Sequence, residues 1–355
     1  MTASFKILLM IILGIESSCD ETAAAVMEDD KRLLANVINS QIDLHCIYGG
    51  VVPELASRKH LEDIYPVVEQ ALQQADITLD QVDGLAITQG PGLIGSLLVG
   101  LSFAKALSLV KKIPYVGVDH MAGHLVSVFL GENKPEFPYI ALIASGGHSS
   151  IFHVTDYFHY RLLGRTRDDA AGEAFDKVAK ILDLPYPGGP IISELSKNGD
   201  PEAISFPRSW LDPDSLDFSF SGIKTSVANY VKQNQQLIAN GNEKRRSTTE
   251  TANICASFQE AVVDVLAGKT MKAARNLNVK TVVLAGGVAA NPRLREVFRQ
   301  QGDREGFAVY MPPQKFCTDN AAMIALAGYH LFRQQAAVTT LDMDVYSRSR
   351  LTELA

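Results

Sequence analysis

Short apolar runs alternate along this chain with longer stretches of helical period, and glycine-rich or polar turns separate them. Strand alternating with helix argues an α/β protein. Three strands open it: IILGIESS (11–18), ETAAAVME (21–28) and RLLANVINS (32–40). A helix is expected from about Val52 to Gln74, then a buried strand GLAITQ (84–89), a turn GPGLIGS (90–96) and a helix LLVGLSFAKALSLV (97–110). Strand PYVGV (114–118) leads into a helix that starts near Asp119.

The second half repeats this scheme. YIALIAS, HSSIFHVT and HYRLLGRT form another strand trio (139–166), followed by a helix at 170–182. TVVLAGGVAAN (281–291) is again strand, glycine turn and helix start; then come helix PRLREVFRQ, strand AVYMP and helix DNAAMIALAGYHLF. Two halves of like pattern suggest an internal duplication. The expected lobes are 10–137 and 138–318, with a last helix at about 319–335 packing back on the first. Residues 185–225, rich in Pro, Gly, Ser and Asp, are expected to be an irregular insertion in the second lobe, a length of loop that is often functional. Residues 241–250 read as an exposed polar loop.

At 355 residues and 46% hydrophobic content the chain can bury a large core. The formal charge of −7 is wrong for a protein that binds nucleic acid over its whole surface, so any RNA contact must be local or shared with a partner. The four cysteines lie far apart with no C-x-x-C, which points away from zinc knuckles and disulfide frameworks and toward a reducing cytoplasmic setting. KILLMIIL (6–13) begins like a signal peptide but runs straight into GIESSCDET and is far too short to span a bilayer; it is expected to be the buried first strand, with Met10 an alternative start.

Glycine-rich or small-residue turns follow strands at ESSCDET, SGGH and AGGV. Backbone N–H groups at such turns hold phosphates, so three of them suggest a nucleotide, although each alone is an ordinary tight turn. None is a P-loop, and GPGLIG is not a dinucleotide fingerprint. DHMAGH (119–124) sets His120 and His124 four apart, on one helical face. They are either two ligands of one cation or polar residues on a solvated face. In FCTDNAAMIA, Thr318 reads as an N-cap and Asp319 as a first-turn residue, there either to favour the helix dipole or to complete a two-His, one-carboxylate site suited to iron or zinc. Asp169, Glu173 and Asp176 share a helix face that reads as solvated, with a ribose or amine contact by Asp176 as the alternative.

Taken together these strings resemble one family: the tRNA adenosine threonylcarbamoyltransferases of the TsaD type, formerly labelled O-sialoglycoprotein endopeptidases. GIESSCDET (14–22), GGVVPELASRKH (49–60), TQGPGLIGSLLVG (88–100), GVDHMAGH (117–124), SGGH (145–148), DDAAGEAFDK (168–177), YPGGP (186–190), FSFSGIKT (218–225), AGGVAAN (285–291) and CTDNAAMIA (317–325) carry the resemblance, in order, over about 11–330. It implies the actin-like, sugar-kinase-like and Hsp70-like ATPase (ASKHA) fold, with a nucleotide and metal cleft between two lobes. It also implies transfer of threonylcarbamoyl from threonylcarbamoyl-AMP to the N6 amine of the adenosine 3′ of the anticodon, in tRNAs reading codons that start with A. TsaB-type and TsaE-type partners are implied.

By the same resemblance, His120, His124 and Asp319 match metal ligands, Fe2+ favoured and Zn2+ possible. Ile143, Ala144, Ser145, Gly146 and Gly147 match the segment on the substrate's phosphate and carbamoyl groups. Asp176, Gly189 and Asn291 match residues around the adenosine. Some relatives outside bacteria carry a Tyr ligand at the position of Ile143, so one fewer protein ligand is expected here; some members carry Asp at the position of Ser193, and that contact is not carried over. No residue stands out as a base; Glu16, Asp168 and Asp169 are candidates. Proteolysis is disfavoured, because Met121 stands where H-E-x-x-H has its Glu. A non-enzymatic ATP-driven clamp would not need the metal triad, and an O-carbamoyltransferase would need a further domain. Arg161, Arg165, Arg167, Lys269, Lys272, Arg275 and the KRR of 244–246 are candidate tRNA contacts, and the helices near 52–74 and 97–110 a candidate partner face or plain core.

Overall fold

The computed structural model describes residues 9–212, 214–239, 247–349 and 351. The chain opens with β1 (Ile11–Glu16), β2 (Glu21–Glu28), β3 (Arg32–Ser40), the short helix α1 (Ile42–Cys46) and the long helix α2 (Pro53–Gln74). Then come β4 (Gly84–Gly90), α3 (Ile94–Lys111), β5 (Tyr115–Asp119) and α4 (His120–Val126). A second trio, β6 (Tyr139–Ala144), β7 (Ser149–Val154) and β8 (Tyr160–Arg165), leads to helices α5 (Ala171–Ile181), α6 (Gly188–Ser196), α7 (Ser221–Ala239) and α8 (Thr248–Leu277). The last elements are β9 (Thr281–Ala285), α9 (Pro292–Glu305), β10 (Ala308–Tyr310) and α10 (Ala321–Arg333).

Two compact units emerge, one of residues 9–41, 51–130 and 319–351, the other of 42–50 and 131–318. The segment Ile42–Gly50 thus groups with the second unit rather than the first, and the boundary falls at Leu130.

In the first unit the sheet order is β3-β2-β1-β4-β5. Strands β1, β2 and β3 pair antiparallel, while β4 and β5 are parallel to β1. Strand β1 is buried on both faces, which is why it reads as a continuous apolar run. Side chains alternate across the sheet. Leu13 and Ile15 join Val67 and Val68 of α2 and Val99 and Leu101 of α3 in the core. On the other face Gly14 lies against the backbone of α10 at Ala321 and Ala325, and Glu16 points the same way as Gly14 by the period of two. Helix α3 is the one described helix long and apolar enough to cross a bilayer, with mean hydropathy 1.5 over 18 residues, and it packs into this core.

The second unit has the order β10-β9-β6-β7-β8. Pairing is antiparallel among β6, β7 and β8 and parallel from β6 through β9 to β10, the same scheme as in the first unit. The duplication read from the pattern is therefore a duplication of topology. Phe258, Val262 and Leu266 of α8 pack with Ile140 and Leu142 of β6 and Phe175 of α5. The insertion is less irregular than expected: α6 lies inside it, and α7 starts before its end.

Candidate functional site

Helix α4 begins where β5 ends. Asp119 is its N-cap; its Oδ1 accepts from the N–H groups of Met121 (2.9 Å) and Ala122 (3.3 Å), so the first orphan donors of the helix are satisfied. The next residue, His120, and His124 one turn on are both buried, which removes the solvated-face reading. Their rings meet edge to face with centroids 4.7 Å apart.

The carboxylate comes from 195 positions away. Thr318 is not the cap of α10: Asn320 is, accepting from Met323 N, and Asp319 precedes the helix instead of sitting in its first turn. That leaves Asp319 free of helix geometry. Its Oδ1 lies 3.0 Å from His124 Nε2 and 3.4 Å from His120 Nε2. One donor atom from each of the three residues falls within 4.8 Å of the others.

Behind His120 stands Glu16 at the carboxyl end of β1. Its Oε2 accepts from His120 Nδ1 (2.9 Å) and Thr88 Oγ1 (2.7 Å), and its Oε1 from Ser18 N (2.6 Å). A carboxylate that accepts the Nδ1–H fixes that proton, so the neutral ring, the form that binds a metal, presents its lone pair at Nε2. Burial alone would raise the Glu16 and Asp319 carboxyls; the His120 charge outweighs it and holds Glu16 below, and Asp319 well below, the usual carboxylate range, His124 also bonding Asp319. Burial would lower His120, but Asp319 and Glu16 lift it well above an ordinary imidazole. A buried carboxylate, Glu16, and a half-buried one, Asp319, thus demand positive charge at this spot. Two imidazoles and one carboxylate, with a second carboxylate orienting one ring, are a donor set that fits a borderline divalent ion such as iron or zinc. Buried His124 Nδ1 has no hydrogen-bond partner among the described residues, so one more donor atom of this cluster is uncommitted.

The remaining candidate residues lie in the second unit. Ile143 and Ala144 end β6 fully buried, so their side chains are closed to a ligand. Ser145, Gly146 and Gly147 form the turn to β7, closed by Ser145 N donating to His148 O (2.8 Å). Gly146 and Gly147 are exposed, and a Cβ on either would meet nothing within 4 Å. The N-terminus of α5 abuts this turn. Gly172 N donates to Ser145 O (3.1 Å), and a Cβ at Gly172 would come within 2.6 Å of that oxygen, so only glycine allows the approach. The result is an open, N–H-bearing turn at a helix N-terminus, the kind of place that holds an anion.

Asp176 is not on a solvated face: it accepts from Gly188 N (2.7 Å) and ties α5 to the start of α6, where Gly189 opens to free space. Ser193 lies further along α6. Asn291 caps α9 through Leu294 N (3.1 Å) and donates to Gln259 Oε1 (2.7 Å). Asp169 is outside α5 and bridges Lys177 and Lys224, each at 2.6 Å, while Glu173 pairs with Lys177. Asp168 accepts from Ser219, Phe220 and Ser221 at the entry to α7. Glu16, Asp168 and Asp169 are thus each engaged in structural bonds.

The basic candidates divide. Arg161 and Arg165 are exposed. Arg167 pairs with Asp217 (2.9 Å), Lys272 with Asp214 (3.7 Å) and Arg275 with Glu305. Lys269 is buried under the Phe218 ring with its ammonium on Asp217 O, so it is not a surface cation. The KRR of 244–246 lies outside the described residues.

Residues 32–326 match the family model described as TsaD, tRNA N6-adenosine threonylcarbamoyltransferase. The chain belongs to this family. A tRNA N6-adenosine threonylcarbamoyltransferase of Desulfotalea psychrophila is 58% identical over 342 residues, covering 96% of this chain and 98% of that protein. One from Desulforapulum autotrophicum is 53% identical over 341 residues, with 96% and 99% covered. Among solved structures, full-length HypF in its phosphate- and nucleotide-bound form superposes with a TM-score of 0.59 at 16% identity, over 92% of this chain and 55% of that one. The ASKHA fold implied by the sequence motifs is therefore the fold of this TsaD-family chain. Ser18 and Thr88, which help hold Glu16, were not singled out in the sequence; they lie inside the quoted motifs, but nothing in their spacing marks them.

Proposed function

We propose that this chain transfers the threonylcarbamoyl group of threonylcarbamoyl-AMP to the N6 amine of the adenosine 3′ of the anticodon, in tRNAs that read codons starting with A, and releases AMP. It is an acyltransferase that modifies tRNA. The observation that carries the reading is the convergence of buried His120 and His124 with half-buried Asp319 in a chain of this family.

In the reaction, N6 attacks the carbamoyl carbon, the bond from that carbon to the phosphate oxygen breaks, AMP leaves with the electron pair, and N6 loses a proton. A divalent ion, Fe2+ in preference to Zn2+, would be held by His120, His124 and Asp319 and would supply Lewis acidity toward an oxygen of the donor. Glu16 keeps His120 Nε2 free to ligate. The N–H groups of Gly146 and Gly147, in the turn that Ser145 closes, stabilise negative charge on oxygen as the tetrahedral state forms. Ile143 and Ala144 act through the backbone that carries this turn, since their side chains are buried. Asp176, Gly189 and Asn291 are assigned to the adenosine, with Asp176 and Asn291 fixing the α6 and α9 N-termini. AMP is a good leaving group, so no strong general acid is needed.

TsaB-type and TsaE-type partners complete the system in a cytoplasmic setting. A groove lined by Leu61, Ile64 and Tyr65 of α2 and Leu98, Val99 and Phe103 of α3 supports partner docking on these helices. The test is label transfer from the adenylate to an unmodified tRNA reading an A-starting codon, followed by nucleoside digestion. Label in the adenosine 3′ of the anticodon supports the reading. Label left on the adenylate, in a mixture where another family member transfers it, refutes the reading.

A further inference from the structure

We propose that the segment 338–349 is a strap that positions the metal-binding helix α4, with Tyr346 and Ser349 holding Asp119 so that His120 and His124 stay in ligating register; this rests on the metal reading above. Helix α4 has seven residues, too few to be stable by itself. Its start depends on one carboxylate, that of Asp119. Oδ1 caps the helix, and Oδ2 accepts from Tyr346 Oη (2.9 Å) and Ser349 Oγ (3.2 Å). With Oδ2 held, the carboxylate cannot turn away from the cap, and the residue that follows it is His120.

The strap has its own anchors. Val338 exchanges two backbone bonds of 2.9 Å with Tyr115 of β5, so it extends the edge of the sheet. Lys105 Nζ donates to Met343 O (2.5 Å), Gln89 Nε2 to Asp344 O (2.6 Å) and Tyr346 N to Gln89 O (3.1 Å). Gly90 stands at φ +154°, and any Cβ there would strike Tyr346, so the end of β4 admits the strap only as glycine. Tyr346 is thus seated across the carboxyl ends of β4 and β5, and it acts through Asp119 as a positioning residue.

The test is metal affinity of the full-length chain, stripped and then titrated with Co2+ by its d–d spectrum and with Zn2+ against a chromophoric chelator. Tyr346→Phe with Ser349→Ala should raise Kd about 5- to 10-fold, toward the low end of the effect of removing an outer-shell partner, and should alter the Co2+ spectrum. Ser349→Ala alone, the milder variant, should shift Kd in the same direction if the pair is poorly folded. A lowered Tm with unchanged Kd and spectrum would make the segment merely structural and overturn the strap alone. A wild-type chain that binds neither ion would overturn the metal reading, and the strap with it.

Discussion

Replacing Glu16 by Gln tests how the site is held ready. The side chain keeps its shape but swaps one oxygen for an NH2. Ser18 N–H points at Oε1 from 2.6 Å, so the amide oxygen must stay there and the NH2 must face Thr88 and His120. His120 Nδ1 then has to accept, which moves its proton to Nε2, the nitrogen nearest Asp319. The ligand lone pair is lost unless the ring or the amide finds another arrangement. A hydrogen bond to a charged group is worth about 1.5–3 kcal/mol. At about 1.4 kcal/mol per tenfold that is roughly a 10- to 150-fold loss in metal affinity, in the range of about 10- to 100-fold found for outer-shell partners of metal ligands. Stability should change far less, because the substitution also removes a buried charge. Zn2+ and Co2+ titration of Glu16→Gln reads the effect directly. A Kd within about twofold of wild type would show that Glu16 does not set the His120 proton, and a normal Kd with lost transfer would make Glu16 a base instead of a support for His120.

Asp319→Asn should abolish tight metal binding and cut transfer sharply while the chain still unfolds in cooperative transitions; metal content by mass spectrometry and label transfer check both. Asp168→Ala should cost about 1–2 kcal/mol, the scale of a lost helix cap, in urea unfolding, because it strips the bonds to Phe220 and Ser221 at the start of α7; unchanged stability would show that other donors hold α7. Burial raises the Asp168, Asp169 and Asp217 carboxyls, but hydrogen bonds from Ser219, Lys177, Arg165 and their neighbours bring each below the usual range. Their contribution is therefore complete above the unfolded value of about 4 and is lost as pH falls through the lower folded values. Urea midpoints should drop as pH falls below about 4, and a midpoint that rises on acidification would contradict this.

The strand trios and glycine turns were legible because β1 and β6 are apolar on both faces and are followed by antiparallel partners with clear periods. Helix α8 was not. It is buried nearly all round, so it shows no single apolar stripe, and its Lys269 reads as a surface cation when only charge is visible and not desolvation. Asp169 and Asp176 sit at helical spacing, yet one lies before α5 and the other is turned to Gly188, facts set by tertiary partners. The pairing of His120 with His124 was visible as a spacing and Asp319 as a carboxylate that could complete the set, and the resemblance matched all three to metal ligands. What spacing could not show was that Asn320, rather than Thr318, caps α10 and frees Asp319. The strap was not read because its alternation of Leu341, Met343 and Val345 is short, and because its bonds, mostly accepted by its own backbone carbonyls, come from residues more than two hundred positions away.

The central claim is that a metal at His120, His124 and Asp319 serves threonylcarbamoyl transfer. The direct measurement is transfer of labelled threonylcarbamoyl from its adenylate to an unmodified tRNA reading an A-starting codon, by the purified chain with its partners, before and after metal is stripped and then restored. Label on the tRNA is expected, with loss of transfer on stripping and recovery with Fe2+ or Zn2+. Full transfer by a chain shown to hold no metal would contradict it.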